Sequence, residues 1–202
     1  MKKILLVLLF ISFCLGQSAH AAPNKALEAL ETLRRGFSGM NDFTADIVQE
    51  KQMAMMKRKM VSKGIVRFRK PGTFFMELLP PYASRLLLRD NVLTMRLPEQ
   101  GVTDRIVLPP DESLDKWFAY LAKPMTKLPE GMEVRADRQG STWNVQLSPK
   151  GKGGVKDLAI SFDADGKIKR LAIDERNGDR TVIKFANMRR NAGLTEKDFL
   201  LD

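Results

Sequence analysis

Cysteine and histidine each occur once in the 202 residues, as Cys14 and His20, and tryptophan and tyrosine only twice each. Both singletons fall within residues 1–21, which read as a cleavable export signal. Lys2 and Lys3 form its basic start, Ile4 to Leu15 an apolar run broken only by Ser12, and Ala19-His20-Ala21 an A-x-A cleavage site. The run falls short of the roughly 20 apolar residues that span a bilayer. Bulky Phe13 directly before Cys14 argues against lipid attachment at that cysteine. Cleavage after Ala21 leaves residues 22–202, expected to form a single domain, with neither cysteine nor histidine.

Those absences exclude disulfides, a thiol nucleophile, a His-containing triad and a Cys/His zinc site. Export without disulfides fits a bacterial periplasm. Carboxylates remain, but no constellation of them suggests catalysis. Asp174 and Glu175 are neighbours on a strand and point to opposite faces. Asp111 and Glu112 precede a helix and favour its dipole. Gly151-Lys152-Gly153-Gly154 lacks the phosphate-loop spacing. Asp163-Ala164-Asp165-Gly166 lacks the later ligands of a calcium loop and reads as a hairpin turn. No enzyme activity, metal or cofactor is expected. The net charge is +10, with Lys2 and Lys3 leaving with the signal. In that compartment nucleic acid is not an expected partner. The excess suits transient contact with an anionic membrane surface or acidic proteins, or is simply a solvated basic surface.

What the chain does contain is strand pattern. Candidate strands run over 43–51, 61–69, 73–79, 84–89, 92–97 and 104–108, then 132–138, 142–148, 155–162, 168–175 and 180–189. Pro71-Gly72, Asp90-Asn91, Gln139-Gly140, Asp165-Gly166 and Asn177-Gly178 supply hairpin chemistry between them. Two helices accompany the strands. The first, 26–35, carries Leu30 and Leu33 with Phe37 a turn on, with Asn24 as N-cap and Gly36 as stop. The second follows Pro109-Pro110, carries Leu114, Trp117, Phe118 and Leu121, and ends at Pro124. About eleven short antiparallel strands curl into a barrel, complete or partial, or split into two sheets.

Phe68 shares a strand face with Val66, Phe74 with Met76, and Leu93 with Met95. Such faces suit an ordinary packed core or the wall of a cavity. Met53, Met55, Met56 and Met60 crowd one hairpin beside Lys57, Arg58 and Lys59. They read either as a soft lip over a lipid opening or as inward packing.

The order of short motifs resembles the periplasmic outer-membrane lipoprotein carriers of the LolA type. The motifs are Asp42-Phe43-Thr44-Ala45-Asp46-Ile47-Val48-Gln49, then 64–74 through Pro71 and Phe74, the Asp90-Asn91 turn, 145–150, and the strand ending in Phe162-Asp163-Ala164-Asp165-Gly166. The resemblance implies a mainly β fold, an incomplete antiparallel β-barrel with short helices as a lid over an apolar cavity. It implies a monomeric carrier that takes acylated lipoproteins from an inner-membrane ABC exporter, shields their acyl chains and delivers them to an outer-membrane receptor. A carrier of another lipid, such as a glycolipid or polyketide-like molecule, and a sensor of mislocalised lipoproteins are the alternatives. Phe43, Phe68, Phe74, Met76, Leu93 and Met95 are the expected cavity wall. Leu30, Leu33, Phe37, Trp117, Phe118 and Leu121 are the expected lid. Family members carry an arginine before the proline matching Pro71, where it latches the lid through backbone carbonyls. Here Lys70 holds that position, with Arg69 beside it, and lysine lacks the guanidinium fork. A last strand is expected over 194–201.

Overall fold

Alternating apolar and polar side chains, punctuated by turn residues, build one continuous antiparallel sheet. The computed structural model describes residues 23–56, 58–107, 123–151 and 153–201. Helix α1 (Pro23–Ser38) precedes β1 (Asp42–Gln52), β2 (Met60–Arg69), β3 (Thr73–Leu78), β4 (Ser84–Arg89), β5 (Val92–Leu97) and β6 (Val102–Val107). Then come β7 (Met132–Gln139), β8 (Thr142–Pro149), β9 (Val155–Asp163), β10 (Ile168–Glu175) and β11 (Arg180–Arg190). The expected second helix, with Trp117, Phe118 and Leu121, lies outside the described residues, as does the export signal.

The strand order is β6-β5-β4-β3-β2-β1-β11-β10-β9-β8-β7. Hairpins make one wing from β1 to β6 and another from β7 to β11, and pairing of β1 with β11 joins them. Among the described residues no pairing joins β6 to β7, so the barrel is unclosed. Asp90 and Asn91 both have positive φ, 49° and 60°, as a two-residue hairpin turn with the twist of its strands requires. Where the register of β1 on β11 slips between Thr44 and Asp46, Asn187 takes φ 52°. An asparagine tolerates that left-handed conformation, and the resulting bulge bends the sheet at its centre.

Because side chains alternate, register decides which ones face the concave side. Phe43 pairs with Phe68, Phe68 with Phe74, Phe74 with Leu88, and Leu88 with Leu93. The next row runs Ala45, Val66, Met76, Leu86 and Met95. In the second wing Ala136, Val145 and Ile160 continue the same apolar face. There α1 packs through Ala26, Ala29, Leu30 and Leu33 onto Val134, Trp143, Val145 and Phe162.

The helix is longer than its local signals indicate. It starts at Pro23, so Asn24 is helical rather than a cap, and it runs through Gly36 to Ser38. Gly36 serves packing instead. A Cβ there would sit 2.7 Å from the Asp165 carbonyl oxygen and 2.7 Å from the Gly166 Cα. Only a glycine lets the helix approach the β9–β10 turn this closely.

The final segment is not a strand. It is a strap on the convex face that contains a short 3₁₀ turn, Glu196–Phe199. Buried Asp42 starts it, its carboxylate accepting the backbone N–H groups of Ala192, Gly193 and Leu194 at 2.5, 3.2 and 3.2 Å. Arg67 Nη1 donates to the Asp198 carbonyl at 2.8 Å, and Arg96 Nη1 to the Leu201 carbonyl at 2.9 Å. Glu196 bridges Arg69 and Arg89, and the Arg69 guanidinium lies over the buried ring of Phe199.

Two carboxyls of the strap titrate below the usual carboxylate range. For Asp198 the main cause is the Thr195 backbone N–H, with the Thr195 hydroxyl second. For Glu196 it is the hydrogen bond from Arg69, aided by Arg89. A folded-state pKa below the unfolded one stabilises above the ordinary pKa, and that contribution disappears as pH falls through the folded value. Amide-exchange protection of residues 195–201 is therefore expected to fall on acidification through and below the carboxylate range, while β1 and β2 stay protected. Unchanged protection of the strap at the acid end would contradict this account.

Candidate functional site

The concave face of the first wing divides into a filled end and an open end. At the filled end, Met40, Phe43, Ala45, Ile47, Val66, Phe68 and Leu78 form one buried cluster, with Phe37, Phe74 and Met76 packed against it. The Phe37 and Phe43 rings meet edge-on at 6.5 Å between centroids, and Phe43 and Phe68 are tilted at 5.6 Å. These are ordinary separations for aromatic pairs. The aromatic row is thus anchored to the end of α1.

Towards the opposite end the same face opens into a cavity of about 410 Å³, within the size range of small-molecule pockets. Met76, Leu78, Leu86, Met95 and Leu97 make its apolar wall, and Pro81 and Tyr82 of the β3–β4 turn stand at its edge. Gln49, Lys51, Ser62 and Thr181 supply a polar margin. Strand register explains the split. Beyond the Ile47–Gly64 pair, the inward positions of β1 and β2 change from apolar residues to Gln49, Ser62 and Lys51. An apolar wall with a polar margin matches a molecule with a tail and a head.

The structure brings Phe43, Phe68, Phe74 and Phe37 together in the filled cluster. Met76 touches both regions, and Met95, 36 % exposed, lines the cavity. Leu93 is half-buried in the aromatic row between Leu88 and Ile106. Leu30 and Leu33 belong to the second wing's core, beneath α1. Lys70 Nζ donates to the Phe37 carbonyl at 3.2 Å, at the last turn of α1. Arg69 projects from the other face of β2 and is engaged by Glu196 and Phe199 in the strap. The Glu31 carboxylate accepts the Met125 backbone N–H at 3.0 Å, tying the segment before β7 to the helix. A hydrogen bond from Arg34 is the main reason that this carboxyl titrates below its usual range.

The methionine-rich hairpin is mostly outward-facing. Met55 is 98 % exposed and Met56 43 % exposed, while Met60 lines the cavity. Tyr82, Pro81 and Leu86 carried no individual signal in the sequence, because a Pro-Pro turn and a run of three leucines do not declare which side lines an opening. Among the described residues no group of His, Cys, Asp and Glu is placed to hold a metal. The Asp163 carboxylate accepts the Asp165 and Lys167 backbone N–H groups at 3.0 and 2.9 Å, which makes its turn a hairpin connection.

An unclosed antiparallel barrel with an apolar concave face, and a helix fixed across part of it, defines a lipid- or lipoprotein-binding carrier fold. The chain belongs to the family of the outer membrane lipoprotein carrier protein LolA, whose model matches residues 38–202. Its fold is shared by a chain of the Pseudomonas aeruginosa MucA/MucB complex, with TM-score 0.53 and 12% identity, covering 88% of this chain and 61% of that one. A DUF1329 family protein from Desulfovibrio piger has TM-score 0.47 at 12% identity, covering 89% and 98%. A LolA superfamily protein from Nitrosomonas europaea has TM-score 0.45 at 9% identity, covering 87% and 97%. No curated protein matches the chain.

Proposed function

We propose that this protein is a periplasmic, non-enzymatic carrier that shields the acyl chains of lipoproteins between an inner-membrane ABC exporter and an outer-membrane receptor. The observation that carries the reading is the apolar concave face, continuous from the Phe43–Phe68–Phe74 row into the cavity beside Met76 and Met95, in a chain of the LolA family. Transfer of an acyl chain from water is worth roughly 0.8 kcal/mol per buried methylene. A wall of this kind competes with a bilayer for part of a chain without covalent chemistry.

Release needs a second state in which that wall is covered. In this reading α1, latched by Lys70 through the Phe37 carbonyl, forms the cover. Cargo displaces the cover, and the cover returns when the receptor takes the cargo.

The test is recovery of the protein from the periplasm, followed by mass spectrometry of what co-purifies. N-terminally acylated lipoprotein peptides are expected. Recovery of only phospholipid or glycolipid would overturn the lipoprotein cargo. Absence of any acyl species, together with failure to take acylated peptide from vesicles, would overturn the carrier reading itself.

A further inference from the structure

Four cationic side chains meet around a cleft that the carrier reading does not use. It lies where α1 ends against the β9–β10 turn and the β7–β8 hairpin, and it measures about 560 Å³. Arg35 comes from α1, Arg138 from β7, Lys167 from the β9–β10 turn and Arg190 from the end of β11. Among the described residues Glu28 and Asp165 are the only carboxylates in its lining, so the lining carries a positive excess.

The floor is rigid. Cβ atoms on Gly36 or Gly166 would meet the other's backbone at 2.7 and 2.8 Å, so helix and turn rest backbone against backbone. Arg35 and Lys167, each one residue from that contact, therefore rise from fixed positions beside the cleft. Residues on three separate elements would gain nothing from this grouping as solvated surface charge. The negative end of the α1 dipole accounts for Arg35 alone.

Arg190 makes the sharper point. Its Nη2 donates to the Asp165 carbonyl at 3.0 Å, but its Nε is buried without an acceptor among the described residues. Buried donors are normally satisfied; Arg89 Nη2, the other one without a hydrogen bond among the described residues, has the Glu196 carboxylate at 2.9 Å, whereas Arg190 is in no ion pair among the described residues. Arg138 has its Nε on the Gly140 carbonyl at 3.0 Å and its guanidinium over the Trp143 ring, and no ion pair engages it among the described residues. Lys167 is likewise without a carboxylate partner among the described residues.

We propose that this cleft binds a phosphate group. A phosphate offers several acceptor oxygens and more than one negative charge. That suits guanidinium forks arriving from different elements, where Arg and Lys act together. The cleft has room for an organic group attached to the phosphate. The site stands whether or not the apolar cavity carries lipoprotein, because the two are lined by different residues.

The test follows the Gly36 and Gly166 amide resonances of the purified protein during titration with inorganic phosphate at constant ionic strength. Saturable shifts are expected. Lys167→Gln should weaken binding about tenfold, the usual worth of one charge-assisted contact. Arg190→Lys keeps the charge but removes the Nε donor, and a similar loss is expected. A parallel titration uses monomeric short-chain phosphatidylglycerol. Affinity more than tenfold above inorganic phosphate assigns the site to a lipid headgroup, and equal affinity assigns it to free phosphate, both within the proposal. Shifts matched by chloride, full affinity in both variants, or a glutamate hexapeptide that saturates below phosphate would each overturn it.

Discussion

Met76→Glu is expected to weaken binding of a fluorescent fatty-acyl probe by at least a hundredfold while leaving the sheet folded. Met76 sits in the second concave row between Val66 and Leu86, half-buried, where the filled cluster gives way to the cavity. In the empty protein, water in the cavity can solvate a carboxylate at this position. An acyl chain must expel that water. Burying a polar group without a partner costs roughly 2–7 kcal/mol, and a charge more. About 3 kcal/mol already corresponds to a hundredfold. The penalty therefore falls on the loaded state, not on folding. Met76→Gln, which is polar but uncharged, should give an intermediate loss. Val107→Glu, at a 75 % exposed position on the opposite face of the edge strand, is the control expected to bind normally. Equal affinity for wild type and Met76→Glu would remove the cavity from the binding site.

This prediction depends on register, and register shows which parts of the molecule were legible in the sequence. Strand positions were legible because their signals are local. Asp90-Asn91, Gln139-Gly140, Asp165-Gly166 and Asn177-Gly178 mark turns through conformations that few other residues adopt, and alternation marks the faces between them. The expected cavity residues on β2, β3 and β5 accordingly fall in two adjacent rows. Pairing of β1 with β11 is not local, and nothing in either strand names its partner. Leu30 and Leu33 are expected lid residues beside Phe37. The helical period shows which side is apolar but not which wing it covers, and they pack on β7 to β9.

The convex face was the least legible. Arg67, Arg69, Arg85, Arg89 and Arg96 carry no local signal of a shared role in the sequence. Their order appears only once β2 to β5 are paired in one sheet and the strap crosses it. Asp42 stands directly before Phe43 in a family-like motif. Its own work is on the other face, holding three amide groups 150 residues or more away. Gly36 misled for the same reason: as a helix-stop signal it is weak, and its real constraint is the distant Gly166.

Gly64→Ala is expected to be the most damaging small substitution in the first wing, lowering stability by about 3 kcal/mol or more. Gly64 pairs with Leu78 across β2 and β3. A Cβ at this position would lie 2.9 Å from the Glu77 carbonyl carbon and 3.1 Å from the Leu78 Cα, with the Glu77 oxygen closer still. All three are backbone atoms, so no side-chain rotation relieves the clash. The strands must separate, and the ladder that places Met76 beside Val66 and Phe74 beside Phe68 opens with them. In a chain of this size each kcal/mol lowers Tm by roughly 2–4 °C, so a fall of about 6–12 °C is expected by circular dichroism. Gly39→Ala meets no atom within 4 Å and serves as the control. A Tm within the error of wild type for Gly64→Ala would mean that β2 and β3 do not approach as closely as described. The same loosening moves Met76, so any Gly64→Ala protein that remains folded should also bind acyl probe more weakly, linking this close backbone contact to the wall of the cavity.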